Sequence, residues 1–192
     1  MRPFALANAG SRGPVPPASV PFAYYDRLST ARKAIYRRSD AIATLDLPPG
    51  TVSGPAVAAI RGGLAADDPR GLQAACQALC DALTAGYRVP ALSIRVLARR
   101  PSDDCGELHG LYEPAESGRR ARITVWMRTA SREQVVAYRA FLRTVVHELG
   151  HHLDYELLGL EESFHTEGFY KRESALANAL FAAEAVLSSP TG

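Results

Sequence analysis

The sequence predicts an α+β fold, with N-terminal helices, a small, mainly antiparallel sheet and two long helices after it. Three observations carry this. Between residues 26 and 85, apolar side chains recur at the spacing of amphipathic helices. Between 92 and 127 that period gives way to short β-branched runs separated by turn residues. From Ser131 helical spacing returns and holds, with one break at Gly159, to about Leu187.

A chain of 192 residues is long enough to bury a substantial core. The expected organisation is a disordered Pro- and Gly-rich tail over 1–22 and a single domain over 23–192. Within that domain, 23–90 reads as a helical region and 91–192 as the sheet plus the two long helices. The balance of 47% hydrophobic and 22% charged residues is that of a globular protein. A net charge of +2 does not by itself imply a nucleic-acid partner. Its distribution is uneven, with ten Arg against six acids from Arg95 to Arg143 and eight acids against two bases from Thr144 onward. A basic region beside an acidic cleft, open to nucleic acid, is one reading of this; a solvated mixed surface is the plainer one. No run approaches the ~20 apolar residues of a membrane span. Residues 1–7 lack the apolar core of a signal peptide, so a cytoplasmic location with no membrane partner is expected. The three cysteines read as reduced thiols: Cys76 and Cys80 as small apolar core residues, Cys105 as a loop residue.

The elements follow in order. Leu28, Ala31, Ile35, Ile42 and Leu45 predict a helix from Asp26 to about Leu45, with Arg27, Arg32, Lys33, Arg37 and Arg38 on its other faces. Pro48-Pro49-Gly50 breaks the chain. A second helix is expected over about Gly54–Arg61. A third runs from Pro69 to about Ala85, with Gly86 as its stop. Strands are expected over Leu92–Arg99, Glu107–Glu113 and Ile123–Met127. Ser131-Arg132-Glu133-Gln134 has the form of a capping box opening a helix that reaches about Leu158. A last helix starts near Thr166 or Glu167 and ends before Pro190.

The chemistry is concentrated in one stretch, Val145-Val146-His147-Glu148-Leu149-Gly150-His151-His152-Leu153-Asp154. It contains His-Glu-x-x-His. On a helix of 3.6 residues per turn, residues four apart share a face, so His147 and His151 can bind one Zn²⁺ per chain. Glu148 stands where its carboxylate can act as base toward a zinc-bound water attacking a carbonyl. A catalytic zinc has three protein ligands and an open position. Two residues qualify as the third: His165, at the mouth of the last helix, and Glu173, on that helix. Asp154, seven residues past His147, could hydrogen-bond the outer nitrogen of a ligand imidazole. Tyr155, Tyr170 and Arg172 are near enough to stabilise charge on the attacked carbonyl. His152 faces elsewhere and reads as structural or exposed, and His109 receives no role.

Gly110-Leu111-Tyr112, Ile123-Thr124-Val125, His147-Glu148-Leu149-Gly150-His151 and His165-x-x-x-Phe169-Tyr170 together resemble the SprT-like zinc metallopeptidases over residues 92–175. The resemblance implies a zincin-like fold in which His147, His151 and His165 bind zinc and Glu148 is the base. Thr166 stands where that family has Gly, and no cysteine-rich zinc ribbon follows. Glu173, Ala177, Asn178 and Pro190 give a second similarity, to the ImmA/IrrE peptidases, which implies Glu173 as third ligand. Both imply hydrolysis of a protein or peptide substrate. Ile123–Met127, if it is the edge strand beside the cleft, could pair with that substrate, with Trp126 and Met127 alternating between core and cleft. The competing reading is a non-catalytic zinc-containing module that binds DNA or a protein through its Arg-rich surface.

Overall fold

The computed structural model describes residues 21–103 and 106–188. The expected tail (but for Pro21 and Phe22), the Cys105 loop and Pro190 lie outside them. Five α-helices surround a three-stranded sheet among the described residues. The N-terminal helix is shorter than its apolar spacing predicts. A 3-10 turn, Ala23–Arg27, comes first. Ser29 then caps α1 (Thr30–Asp40), its Oγ accepting from the Arg32 N–H. The helix stops at Asp40, where Arg172 donates to the Ser39 and Ile42 carbonyls. Helix α2 (Gly54–Ala65) has Pro55 in its first turn. Helix α3 (Pro69–Tyr87) is capped by Asp68, which accepts from the Arg70 N–H. Gly86 is not its stop. Arg88 closes the helix in the left-handed region at φ 58°, and Gly86 leaves room for Thr51, whose Oγ1 would lie 2.5 Å from an added Cβ.

The sheet is mixed rather than mainly antiparallel. Strand β1 (Ser93–Arg99) runs parallel to β5 (Arg122–Arg128), with Ile94 opposite Ile123 and Val96 opposite Val125. The intervening chain makes two short strands, β2 (Ser102–Asp103) and β3 (Gly106–Glu107). It then forms β4 (Gly110–Glu113), antiparallel to β5. That excursion is long enough for the crossover a parallel pair requires. The predicted strand over Glu107–Glu113 is therefore two strands.

In the order β1-β5-β4, the strand expected at the edge is central. Ile123, Thr124, Val125, Trp126 and Met127 are all buried, so Trp126 and Met127 do not alternate between core and cleft. The two edges differ. Along β1, Gln73 exchanges hydrogen bonds with Ile94 O (2.7 Å) and Val96 N (2.8 Å), and Gln77 does the same with Leu92 O and Ile94 N (both 3.0 Å). The amides of α3 thus occupy the groups a further strand would need. Strand β4 has no described strand beyond it.

The capping-box segment does not begin a helix. Thr129 N donates to Gln134 O and Val136 N to Met127 O, so Ser131–Gln134 is a turn folded back on the end of β5. Helix α4 starts at Tyr138 and runs to Glu156; helix α5 spans Glu167–Ser188. The main core joins α2, α3, the sheet, α4 and α5 and includes both Cys76 and Cys80, which are buried and free. A smaller aromatic cluster of Tyr25, Tyr36 and Phe164 joins the N-terminal segment to the α4–α5 loop. No helix is long and apolar enough to cross a membrane among the described residues.

Candidate metal centre

Helix α4 buries Val145, Val146, Leu149 and Leu153 and turns His147 and His151 toward a cleft. The connection 157–166 folds back so that His165 meets them. His147 Nε2 and His165 Nε2 are 3.0 Å apart, and His165 Nε2 and His151 Nε2 are 3.2 Å apart. One ligand atom from each residue falls within 4.8 Å of the others. Nitrogens on a single tetrahedral zinc are about 3.3 Å apart, given Zn–N bonds of about 2.0–2.1 Å.

The outer nitrogens show which lone pairs are free. His147 Nδ1 lies 2.9 Å from Glu173 Oε2, and a carboxylate only accepts, so the proton belongs on Nδ1. His151 Nδ1 lies 2.7 Å from Ser163 Oγ, whose own hydrogen goes to Asp154 Oδ2 at 2.7 Å. That ring is therefore also protonated at Nδ1. Both Nε2 atoms consequently point lone pairs at the same place as His165, an arrangement that a cation satisfies. Burial, with His147 and His165 adding to it, pushes His151 down to about 3, and burial lowers His165 as well. Neutral imidazoles are the ligand form.

Glu173 thus sits behind His147 rather than among the converging nitrogens. Asp154 does not touch an imidazole directly; it reaches His151 through Ser163. Its other oxygen accepts from Arg172 at 2.7 Å, and the two side chains are 1% and 4% exposed. Arg172 extends this chain to Ser39 and Ile42 at the end of α1. It is buried in the scaffold and does not line the cleft, which removes it from the residues that could face a substrate carbonyl.

The loop carrying His165 is held from the N-terminal side. Tyr24 O–H donates to His165 O at 2.9 Å. Arg32 makes a two-oxygen contact with Glu162, and Arg38 pairs with Glu161 and donates to Gly159 O. Two arginines of the predicted basic face therefore act within the molecule. Thr166 Oγ1 accepts from Phe169 N at 2.9 Å and so caps α5. Gly168 is needed where it stands, because an added Cβ would lie 2.4 Å from Asp40 O. Phe169 packs beneath the three imidazoles, 4.8–5.4 Å between ring centroids.

Glu148 is 7% exposed and lines the cleft. Its carboxylate rests against β4, and an added Cβ on Gly110 would be 2.3 Å from its Oε1. Burial raises its pKa, an effect that His147 and the Tyr112 backbone oppose and Glu173 reinforces. Tyr155 lines the cleft and stacks on Tyr112 at 6.0 Å; Tyr170 stacks on His165 at 5.8 Å and is 42% exposed. His152 is buried, with Nε2 2.8 Å from Pro90 O and Nδ1 3.1 Å from the Tyr112 hydroxyl, a structural role. His109 lines the cleft, which has a volume of about 550 Å³. Ser163, Gly110 and Tyr112 are the parts that the residue pattern assigned no function. Gly110 and Tyr112 had a signal only through the Gly-x-Tyr resemblance, and Ser163 had none. Compared with known proteins, the chain matches no family model, no curated protein and no solved structure.

Proposed function

We propose that this protein is a zinc-dependent metallopeptidase of the zincin type, with an SprT-like arrangement of its site. The observation that carries the reading is the convergence of three imidazole Nε2 atoms while the Nδ1 atoms of His147 and His151 are held by Glu173 and Ser163. His147, His151 and His165 would hold the ion. A zinc ion bound there would lower the pKa of a water molecule and polarise a carbonyl. Glu148 would take the proton of the attacking water and deliver it to the leaving amine. Its burial and its place against β4 keep that carboxylate at the cleft wall rather than in bulk water. An extended peptide can add to β4, the edge that α3 does not cap, and so pass the reacting groups in a fixed register. Tyr155, on the cleft wall, remains a group that could face the carbonyl oxygen; Tyr170 packs against the rings of His165 and His147 and does not line the cleft.

The other reading is a zinc-containing binding module that uses its arginines for DNA or a protein. The presence of Glu148 weighs against it, since a purely structural site needs the histidines but not that carboxylate. The use of Arg32 and Arg38 to clamp the His165 loop weighs against it as well. Metal analysis of the wild type, Glu148→Gln and His165→Ala, with cleavage of a casein-type substrate alongside, separates the two. About one zinc per chain in wild type and Glu148→Gln, cleavage by wild type alone, and metal loss in His165→Ala are expected. Absence of metal from the wild type under zinc loading overturns the reading.

A further inference from the structure

Beyond the cleft, a second concavity of about 510 Å³ opens at the far end of β4. Tyr112 and Pro114 line both, so the two adjoin. Arg119, Arg120 and Arg122 line it, with Glu113 and Glu116. Arg119 is spent on Glu116, at 3.4 Å. The side chains of Arg120 and Arg122 have no hydrogen-bond or ion-pair partner among the described residues, although Arg122 stands opposite Glu113 across the β4–β5 pair. Two unpaired arginines therefore line the concavity against one uncommitted carboxylate. Half-burial of Arg122 in the strand limits its reach and makes it a positioned rather than a roaming charge.

Strand β4 supplies the ruler. Gly110 marks the reacting end, because it lies against Glu148. Glu113, three residues on, marks the arginine end. At about 3.4 Å per residue the two are about 10 Å apart, so a peptide paired along β4 places a side chain in the second concavity about three residues from the bond cut.

We propose that this concavity is a specificity subsite that selects an acidic side chain of the peptide substrate through Arg120 and Arg122. The inference rests on the peptidase reading. A carboxylate fits two guanidiniums as a charge-assisted acceptor, whereas a Lys or Arg side chain would meet like charge. Glu113 tempers the selection by competing for Arg122, so removal of its charge strengthens it.

The test measures binding and turnover separately. Full-length, zinc-loaded Glu148→Gln is titrated with fluorescein-labelled octapeptides in which one Glu is moved along an otherwise neutral sequence. Glu at one position, about three residues from the bond that the wild type cuts, should bind about tenfold more tightly than Gln there. Arg120→Ala with Arg122→Ala should abolish the difference, Arg122→Glu should turn it toward Lys, and Glu113→Gln should enlarge it. Equal binding of Glu and Gln peptides at every position overturns the subsite. So does an anionic oligonucleotide that loses affinity in the double variant while peptides are unaffected. Wild type that cuts neutral and acidic peptides equally leaves the peptidase and refutes the subsite. Glu-dependent binding with no hydrolysis by wild type does the reverse.

Discussion

The Glu173 carboxylate lies 2.9 Å from Nδ1 of His147, on the ring edge that faces away from the other two histidines. It fixes the ring's tautomer and orientation from behind. Glu173→Gln should lower zinc affinity about 10–100-fold while leaving a site that fills at high zinc. His165→Ala should fail to fill at any practical concentration. Competition with a chromogenic chelator distinguishes them, and equal loss in both variants would place Glu173 among the ligands.

Asp154 and Arg172 join the site to the N-terminal helix. Both are nearly fully buried, so removal of one leaves the other charged and unpaired. Asp154→Ala should cost about 3–5 kcal/mol in chemical denaturation. Exchange of both for apolar residues should cost less than the two single changes summed, because it leaves no unpaired charge. A single-variant loss under about 1 kcal/mol would show that water reaches the pair.

Gly110 gives Glu148 its place. The Cβ of Gly110→Ala would overlap the carboxylate and must displace it. Hydrolysis should fall about a hundredfold, the scale of an ångström of misplacement, with zinc content unchanged. Steady-state kinetics beside metal analysis reads both, and unaltered kcat would put the base elsewhere.

Glu184, in the last turns of α5, couples stability to pH. Burial alone would raise its pKa, but hydrogen bonds from Arg61 at 2.8 Å and Tyr138 at 2.7 Å prevail and hold it below the ordinary carboxylate value. A depressed folded-state pKa stabilises above the unfolded value of about 4.3, and that contribution disappears as pH falls through the folded-state value. The stability gap between wild type and Glu184→Gln should therefore be full at pH 6 and shrink steadily below pH 4. Thermal melts across that range measure it; a gap that widens in acid would contradict the sign.

Local periodicity carried much of the fold. Pro69, the apolar stripe of α3 and the four-residue spacing of His147 and His151 act within one or two helical turns, so adjacent residues suffice to read them. Buried Cys76 and Cys80 were legible for the same reason. Where local preference met a distant partner, the partner prevailed. Ser131–Gln134 has a helix-capping pattern, yet its backbone pairs with the end of β5. Asp26–Leu45 has helical spacing, yet Arg172, more than 120 residues away, takes the carbonyls at which α1 ends.

The sequence by itself determined the α+β class, the helix that aligns His147 and His151, and the presence of Glu148 beside them. Only the tertiary structure decided that His165 meets those two imidazoles while Glu173 stands behind one, that Ser163 links His151 to Asp154, and that β4 rather than β5 borders the cleft. The division has one physical cause. Helix geometry repeats every few residues and is written in neighbouring side chains. The choice of loop path, strand neighbour and buried charge partner is made by packing and electrostatics between segments that meet only once the chain is folded.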